Sequence, residues 1–378
     1  MSWAYGGLEL RMISEAAVLR SLGHEVLVSA FRFPGFDLWA NQMRALGARV
    51  VSFNPPPFVE EWRRRHLRKF VSIGNGIYLK HLKIDLATVF SGNMTFCGSK
   101  AYILHKMGIP WVLSIHVPCQ GVFLGAWTER HIRSAFSSMV GGYTVSNTVR
   151  KTFLRYAGHL LPDPSKIEVI PNGVDVSRFS PDEARRAAFR QSLGIGEEEF
   201  NVIFLGRLDS NKNPLLALKI FEYLTRLHPR SRLIIVGGGA LMGDVTNAVK
   251  QNGFDGKVIL TGHVDDVRDY LRSADAYVSC SSLEGYSLGT AEAIASGLPV
   301  VLPDHGAYNE CFGGSSAMFY SLDDPESAAI SLTRIAESSS VRANLAHAGR
   351  AFAEQQLPLD VMNSKLRAFY EKCFGMIK

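Results

Sequence analysis

Residues 284–301 read EGYSLGTAEAIASGLPVV, in which two glutamates, Glu284 and Glu292, stand among small and apolar side chains. The preceding run AYVSCS (276–281) has the composition of a buried strand. The stretch therefore predicts a strand, a loop and a helix that begins near Ser287, followed by a glycine–proline entry into the next strand. A helix start at the carboxyl edge of a parallel sheet is where doubly wound folds bind phosphate groups.

The two carboxylates of this stretch need an explanation, because burying an unpaired carboxylate is costly. The backbone amides of Tyr286, Ser287 and Leu288 are the expected phosphate donors. Glu292 lies on the same helix face as Leu288, and Glu284 lies in the loop, so the two acids can flank a phosphate. Each can accept hydrogen bonds from the adjacent hydroxyls of a ribose or a sugar. In the alternative, Glu292 pairs with a scaffold arginine and Glu284 is a solvated loop residue.

A second loop favours the functional interpretation. The strand NVIFLG (201–206) is followed by Arg207 and Lys212, ahead of a helix opened by Pro214. Two cations beside a helix start suit a diphosphate. Together the two loops predict a site at which a nucleoside diphosphate leaves a sugar, with its growing charge stabilised by cations and amides. No metal-spaced carboxylate cluster accompanies these loops, so we expect no cofactor and no metal.

Short β-branched runs alternate with helical patterns along the whole chain, which indicates an α/β protein of two consecutive doubly wound domains. A linker is predicted over 174–186, and a helix over 11–23 follows the Gly6-Gly7 turn. Only five residues precede that turn, too few for the strand that normally leads into one. We therefore expect that the first strand of the N-terminal sheet is missing, or that the recorded start lies downstream of the true one. The predicted strands span 24–31, 48–54, 84–90, 109–116, 141–147, 167–174, 201–206, 231–237, 257–262, 276–281, 298–303 and 316–321.

Composition restricts the class of protein. The chain has 378 residues, 47% of them hydrophobic, which suits two domains with large cores. No apolar run is long enough for a membrane span, and the N-terminus lacks the order of a signal peptide. The five cysteines are scattered, which favours a reducing compartment over a disulfide framework. The expected location is the cytoplasm, and it includes the inner face of the membrane.

The charge is unevenly distributed. Residues 1–180 carry 21 Lys and Arg against 11 Asp and Glu, whereas residues 181–378 carry 20 against 24. Much of the excess lies in EWRRRHLRKF (61–70), where apolar side chains interleave with the cations. Such a run is commonly a solvated face, and docking on an anionic membrane is the alternative. No nucleic-acid-binding motif accompanies it.

With these residues in view, the sequence resembles glycosyltransferase family 4, whose members are retaining enzymes of the GT-B fold with nucleotide-sugar donors. The resemblance runs from Gly6-Gly7 to the C-terminal helix, and it is densest between Asn201 and Glu310. It implies GT-B architecture, with two Rossmann-like domains and a cleft between them. The implied domains are residues 1–178 on the acceptor side, 179–358 for the nucleotide sugar, and a C-terminal helix, 359–378, that crosses back to the first domain.

The resemblance also implies roles for single residues. Glu284 and His116 contact the donor sugar, Glu292 holds the ribose, and Arg207 and Lys212 hold the diphosphate. Further donor contacts are implied for the residues Gly6, Gly7, Gly262, His263, Gly285, Tyr286, Ser287 and Leu288, while Gly306 and Glu310 match a loop beyond the glutamate helix. The implied acceptor is a glycan, a lipid-linked sugar or a component of the cell envelope.

Departures from the family pattern keep alternatives open. Ser287 stands where the family often has glycine, and the missing first strand leaves room for a truncated or non-catalytic nucleotide-sugar-binding homologue. A sugar-nucleotide epimerase or a phosphorylase on the same fold is a further alternative. A nicotinamide-dependent dehydrogenase is disfavoured, because the glycine run VGGGALMGD (236–244) has Met242 where a third phosphate-loop glycine is required.

Overall fold

The computed structural model describes residues 6–30, 35–52, 82–91, 94–119, 126–313 and 317–377. The basic run 61–70 lies outside this described part. Contacts divide the chain into an N-terminal unit, Gly6–Pro171 with Asn363–Lys378, and a C-terminal unit, Asn172–Met362. Each unit is an α/β structure whose described strands are all parallel. No helix in the described part is both long enough and apolar enough to cross a membrane.

The N-terminal unit contains two parallel sheets among its described residues. One pairs β1 with β2, and the other has the order β3-β4-β5-β6. In the larger sheet Ser114 of β4 lies beside Tyr143 of β5, so both side chains belong to one face. The elements are α1 (Gly7–Ser21), β1 (Leu27–Ala30), α2 (Phe36–Ala45), β2 (Arg49–Ser52), β3 (Ala87–Ser91), α3 (Met94–Lys106), β4 (Trp111–Ile115), α4 (Ala126–Phe136), β5 (Met139–Thr144), α5 (Asn147–Ala157) and β6 (Ile167–Val169).

The C-terminal unit is built on one six-stranded sheet of order β12-β11-β10-β7-β8-β9. Its elements are α6 (Glu183–Ser192), β7 (Phe200–Leu205), α7 (Pro214–Leu227), β8 (Ser231–Val236), α8 (Met242–Gln251), β9 (Val258–Gly262), α9 (Arg268–Ser273), β10 (Ala276–Val278), α10 (Leu288–Ala295), β11 (Val300–Pro303), α11 (Gly306–Phe312), β12 (Ala317–Tyr320), α12 (Pro325–Glu337), α13 (Ser339–Gln356) and α14 (Leu359–Ile377). The last of these, α14, extends from this unit into the N-terminal one. The twelve strands coincide with the twelve predicted from the sequence, apart from their ends.

The strand order creates a switch point in the C-terminal sheet. From β7 the chain adds β8 and β9 on one side, and it then returns to add β10, β11 and β12 on the other. The connections that leave β7 and β10 therefore diverge, and a crevice opens at the carboxyl ends of these two neighbouring strands. This crevice is where ligands bind in open α/β sheets, and the loops after β7 and β10 are those with the predicted cations and acids.

Two sequence-based boundaries are wrong. The first helix begins at Gly7 rather than at Arg11, because the Glu9 carboxylate accepts the amide hydrogen of Gly6 at 2.9 Å and stabilises an earlier start. The predicted linker over 174–186 contains the start of α6. There the Asp182 side chain caps the helix by accepting from the Arg185 amide at 3.0 Å.

The C-terminal helix packs within the N-terminal unit. Its residues Leu366, Phe369, Tyr370 and Cys373 are at most 3% exposed, and they recur at the spacing of one helix face. Phe369 meets the Tyr143 ring edge-on, with 5.3 Å between ring centroids. The end of the chain therefore contributes to the core of the unit that its first helix begins.

Candidate functional site

The loops after β7 and β10 are tied together at the switch point. The Asn211 side-chain amide donates to the carbonyl of Leu283 at 2.9 Å, and the Ser282 amide donates to the carbonyl of Asn211 at 2.9 Å. These bonds join positions 72 and 71 residues apart in sequence. They place the predicted cation loop directly against the predicted acid loop.

Lys212 and Glu284 form an ion pair in this crevice. The Lys212 ammonium donates to the Glu284 carboxylate, and the two side chains are 21% and 10% exposed. The Lys212 backbone is fixed as well, because its amide donates to the Asp209 carboxylate at 3.0 Å. Lys212, the predicted contact of the diphosphate, and Glu284, the predicted contact of the donor sugar, therefore neutralise each other.

Arg207 is more loosely held. Its guanidinium lies 3.2 Å from the Asp209 carboxylate, and 44% of its side chain is exposed. An exposed ion pair of this kind contributes little to stability, so the arginine can exchange Asp209 for another anion at small cost. The Asp209 carboxylate thus contacts both predicted cations. It accepts from the backbone amide of Lys212, and it forms an ion pair with the guanidinium of Arg207.

The glycine run after β8 supports the Arg207 loop from behind. Gly237 has φ of +137°, and a Cβ there would approach the carbonyl oxygen of Gly206 to 1.9 Å. The Gly206 amide donates to the carbonyl of Val236, and the Leu208 amide donates to the carbonyl of Gly238, both at 3.0 Å. Glycine is required because the two backbones approach closely, which explains this run without any dinucleotide.

Helix α10 starts at a strained residue. Ser287 precedes the helix with φ of +70° and ψ of +80°, in the left-handed region that glycine adopts without steric cost. The Ser287 hydroxyl lies 2.9 Å from that of Thr290. Ala291 supplies the first amide bonded within the helix, to the Ser287 carbonyl. The amides of the first turn are consequently directed to the end of the helix, at the switch point.

Glu292 is half-buried on α10. Among the residues that the structure describes, its carboxylate has neither a hydrogen bond nor an ion pair. Burial raises the pKa of Glu292 from 4.5 to about 8, and the charge of Arg178 opposes that shift. Within the described part of the chain, the predicted alternative of a direct pair with a scaffold arginine is therefore not formed. A carboxylate in this state is a candidate ligand-binding group.

The other predicted donor contacts of this unit lie at the same edge of the sheet or just beyond it. Gly262 ends β9, and its carbonyl accepts from the Gly237 amide at 2.9 Å. His263 follows and is largely exposed, 3.5 Å from Asp265. Gly306 opens α11, and Glu310 lies on that helix.

Gly6, Gly7 and His116 belong to the N-terminal unit. Gly6 precedes α1, Gly7 begins it, and His116 directly follows β4. The His116 Nε2 atom lies 2.7 Å from the Ser114 hydroxyl. Burial, with a contribution from the Arg11 charge, lowers the pKa of His116 from 6.5 to about 3. The imidazole is therefore neutral across the physiological pH range.

With this geometry in place, the family comparison decides the assignment. Residues 5–178 match the profile described as Glycosyltransferase Family 4, and residues 185–352 match Glycosyl transferases group 1. The chain belongs to the family 4 glycosyltransferases. A curated Escherichia coli relative, UDP-Gal:alpha-D-GlcNAc-diphosphoundecaprenol alpha-1,3-galactosyltransferase, is 34% identical over 40% of this chain and 40% of its own length. The putative teichuronic acid biosynthesis glycosyltransferase TuaC of Bacillus subtilis is 28% identical over 72% of this chain and 67% of its own length.

Solved structures agree on the fold of this family 4 glycosyltransferase. The Anabaena protein Alr3699/HepE, crystallised with UDP-glucose, superposes with a TM-score of 0.80 at 18% identity, over 98% of this chain and 97% of that one. The fold is accordingly that of the GT-B glycosyltransferases, with two Rossmann-like domains. At this identity the likeness describes the fold alone.

Sequence reasoning missed two residues of the candidate site. It assigned no role to Asn211, which ties the two loops together. Asp209 was passed over between the two cations that it contacts. Its position three residues before Lys212, just ahead of a helix, was the available signal, because an aspartate there commonly accepts a backbone amide. No local signal marked Asn211.

Proposed function

We propose that this protein is a retaining glycosyltransferase, which moves a sugar from a nucleoside-diphosphate sugar to an acceptor. The observation that carries the proposal is the Lys212–Glu284 pair at the switch point, beside the first turn of α10. A cation, an acid and a helix start form a site for a diphosphate joined to a hydroxylated ring.

Binding of the donor exchanges partners within this site. The diphosphate replaces Glu284 at the Lys212 ammonium and Asp209 at the Arg207 guanidinium. Glu284 is thereby released to accept from hydroxyls of the donor sugar, and Glu292 accepts from those of the ribose. At Lys212 and Glu284 each new charge-assisted bond replaces an existing one, so much of the desolvation of these two groups has already been met in the folded protein.

The chemical step is departure of the nucleoside diphosphate from the anomeric carbon. The bond from that carbon to the β-phosphate oxygen breaks as the acceptor hydroxyl attacks, and its electron pair stays on the phosphate. Lys212, Arg207 and the α10 amides stabilise this charge, and the departing phosphate takes the acceptor proton. Attack on the face that the phosphate leaves gives retention, as the family resemblance implies. Two protein cations can meet the charge of the leaving group, so we propose that no metal is required.

The decisive experiment is mass spectrometry of reactions with a panel of UDP- and GDP-sugars, with donor hydrolysis and transfer scored separately. We expect turnover of at least one donor, unaffected by EDTA. Binding of a nucleoside diphosphate with no turnover of any sugar would instead identify a non-catalytic homologue. A nucleotide sugar returned as its epimer would identify an epimerase.

Substitution of Arg207 tests the assignment of the leaving-group cations. Arg207→Ala is expected to lower kcat roughly a hundredfold with little change in the Kd of the donor, because the arginine acts on charge that grows in the transition state. Arg226→Ala, which removes an exposed arginine from α7 of the same unit, is the matched control. Equal kcat values for the two variants would contradict the role of Arg207.

For the acceptor we propose a glycan, lipid-linked or cell-envelope sugar. The Escherichia coli relative carries its acceptor on diphosphoundecaprenol, and the first half of this chain is strongly basic. The basic run 61–70 would then bind an anionic membrane surface from the cytoplasmic side. Replacing Arg63, Arg64 and Arg65 by Gln should reduce sedimentation with phosphatidylglycerol vesicles. Unchanged sedimentation and unchanged activity would remove the membrane from the proposal.

A further inference from the structure

A buried chain of hydrogen bonds leads from His116 into the core of the N-terminal unit. His116 Nε2 lies 2.7 Å from Ser114 Oγ, and Ser114 Oγ lies 2.7 Å from Tyr143 Oη. Tyr143 Oη in turn donates to the carboxylate of Glu15. The exposed fractions of Ser114, Tyr143 and Glu15 are 0%, 0% and 2%, so water does not interrupt the chain.

The Glu15 carboxylate is held from several sides. Tyr370 of α14 donates to its second oxygen, and Arg11 lies 3.3 Å from the first. The Arg11 guanidinium also donates to the carbonyls of Ile170 and Pro171, at 3.4 and 3.3 Å. Burial raises the pKa of Glu15 from 4.5 to about 7, against the charge of Arg11. Above that pH the carboxylate is an anion that can only accept hydrogen bonds.

An acceptor at one end orients every proton along the chain. Tyr143 has a single hydroxyl hydrogen and donates it to Glu15 in a hydrogen bond. The Tyr143 oxygen therefore accepts a hydrogen bond from the Ser114 hydroxyl. The oxygen of Ser114 is then left to accept, and among the described residues the one donor facing it is His116 Nε2. We propose that Glu15, through Tyr143 and Ser114, is a positioning residue that fixes His116 as the Nε2–H tautomer with Nδ1 as a free acceptor.

This inference rests on the proposed function and on the role that the family resemblance implies for His116, which is contact with the donor sugar. Within the described residues no group hydrogen-bonds to Nδ1, so this atom can accept a hydrogen bond from a hydroxyl of the sugar. The ring itself is restrained by Phe90, whose centroid lies 6.0 Å from that of His116. In the other tautomer Nδ1 would carry hydrogen and could not accept. The positioning residues thus determine which hydrogen bond the sugar can make.

Two substitutions of the same kind separate positioning from simple stability. Tyr143→Phe removes the link to Ser114, whose proton is then free to turn toward His116 Nε2. Tyr370→Phe removes another buried hydroxyl from the same carboxylate, but it leaves the link to His116 intact. Both variants lose one hydroxyl bonded to Glu15, so they serve as a matched pair.

The test is nitrogen NMR of the full-length protein with labelled histidine at pH 8.5, with His116→Gln used for assignment. In the parent and in Tyr370→Phe, Nε2 is expected to resonate as a protonated ring nitrogen and Nδ1 as a bare one. In Tyr143→Phe, the Nε2 resonance should move toward the bare position, and kcat/KM for the donor should fall roughly tenfold.

Several outcomes would overturn the inference. One is an Nδ1–H tautomer in the parent, which can be read even when a variant does not fold. Another is an unchanged tautomer in Tyr143→Phe, or the same tautomer shift in Tyr370→Phe. Failure of the proposed function is distinguishable, because the parent would then transfer no sugar, whereas the tautomer is read by NMR without turnover. If only the role of His116 is wrong, His116→Gln would transfer sugar like the parent whatever the tautomer.

Discussion

At the scale of single residues, Glu292 illustrates a conflict between stability and binding. It is a half-buried carboxylate with a pKa raised to about 8, and within the described part of the chain nothing pairs with it. A folded-state pKa above the unfolded value of 4.5 stabilises the protein at low pH, and that contribution is lost as the pH rises through 8. The position therefore costs stability at neutral pH, which is typical of a group kept for a ligand.

The affinity for the donor should consequently depend on pH through Glu292. The ionised carboxylate accepts from both ribose hydroxyls, so affinity should rise from pH 7 to pH 9 and level off above the pKa. In Glu292→Gln we expect a flat profile and, at pH 9, an affinity roughly tenfold or more lower, because bonds to a charged acceptor contribute about 1.5–3 kcal/mol. Calorimetric titration with an intact nucleotide sugar measures both effects.

Glu222→Gln is the control for this comparison, because it removes a carboxylate from a surface ion pair of the same unit. It should reproduce the pH profile of the parent. The same Glu292→Gln variant should also unfold at a higher temperature than the parent at pH 9, with a smaller difference at pH 5. A parent affinity that is independent of pH between 7 and 9 would contradict the assigned ionisation.

At the scale of elements, the glycine run after β8 supports the cation loop. Gly237→Ala would place a Cβ against the Gly206 carbonyl, next to Arg207. We expect a loss of roughly 2–3 kcal/mol in unfolding free energy and a weaker affinity for nucleoside diphosphate, because the loop must move. Gly253→Ala is the matched control, since its φ is +66° but open space surrounds its Cβ position.

Urea denaturation and binding of UDP or GDP measure the two effects. The Gly253→Ala variant should lose only the left-handed strain, on the order of 1 kcal/mol, and should bind as the parent does. Equal binding by both variants would show that the Gly237 contact does not position the loop.

The helices and strands themselves could be predicted from the sequence, because the signal for each one lies within its own residues and the turns that bound it. Every predicted strand is a short run with β-branched or aromatic residues, bounded by turns, and the α10 start follows from Ser287 and the apolar run after it. What joins the elements could not be predicted. The bond from Asn211 to Leu283 spans 72 residues, and only the strand order brings its two ends together. The left-handed backbone of Ser287 explains why glycine is common there, but the serine itself carries no such signal.

Lys212 and Glu284 show a second limit of sequence reasoning. The sequence assigned each residue to a different part of the donor, and it contained nothing to show that they form an ion pair with each other. Likewise, Arg11 and Glu15 are polar residues on a helix that would ordinarily face solvent, yet both are 2% exposed. Their burial depends on α14, more than 340 residues further along the chain.

At the scale of the whole molecule, each unit contains one carboxylate whose pKa is raised by burial. Glu15 lies in the N-terminal unit with a pKa of about 7, and Glu292 lies in the C-terminal unit with a pKa of about 8. The two units can be observed separately. Trp39 and Trp111 are fully buried in the N-terminal unit, whereas residues 172–362 contain no tryptophan. With Trp3, which precedes the described residues, replaced by Phe in every variant, tryptophan fluorescence therefore reports unfolding of the N-terminal unit, while circular dichroism reports both.

The urea midpoint of the fluorescence transition should fall as the pH rises from 5 to 7.5. Glu15 has a pKa of 4.5 when unfolded and about 7 when folded, so the stabilisation by its protonated form is lost across that interval. The shift corresponds to up to roughly 3 kcal/mol. Glu15→Gln should flatten this slope, whereas Glu292→Gln should leave it unchanged and alter only the circular dichroism transition at higher pH. A fluorescence slope of equal steepness in Glu15→Gln and in the parent would show that Glu15 does not ionise in the folded unit.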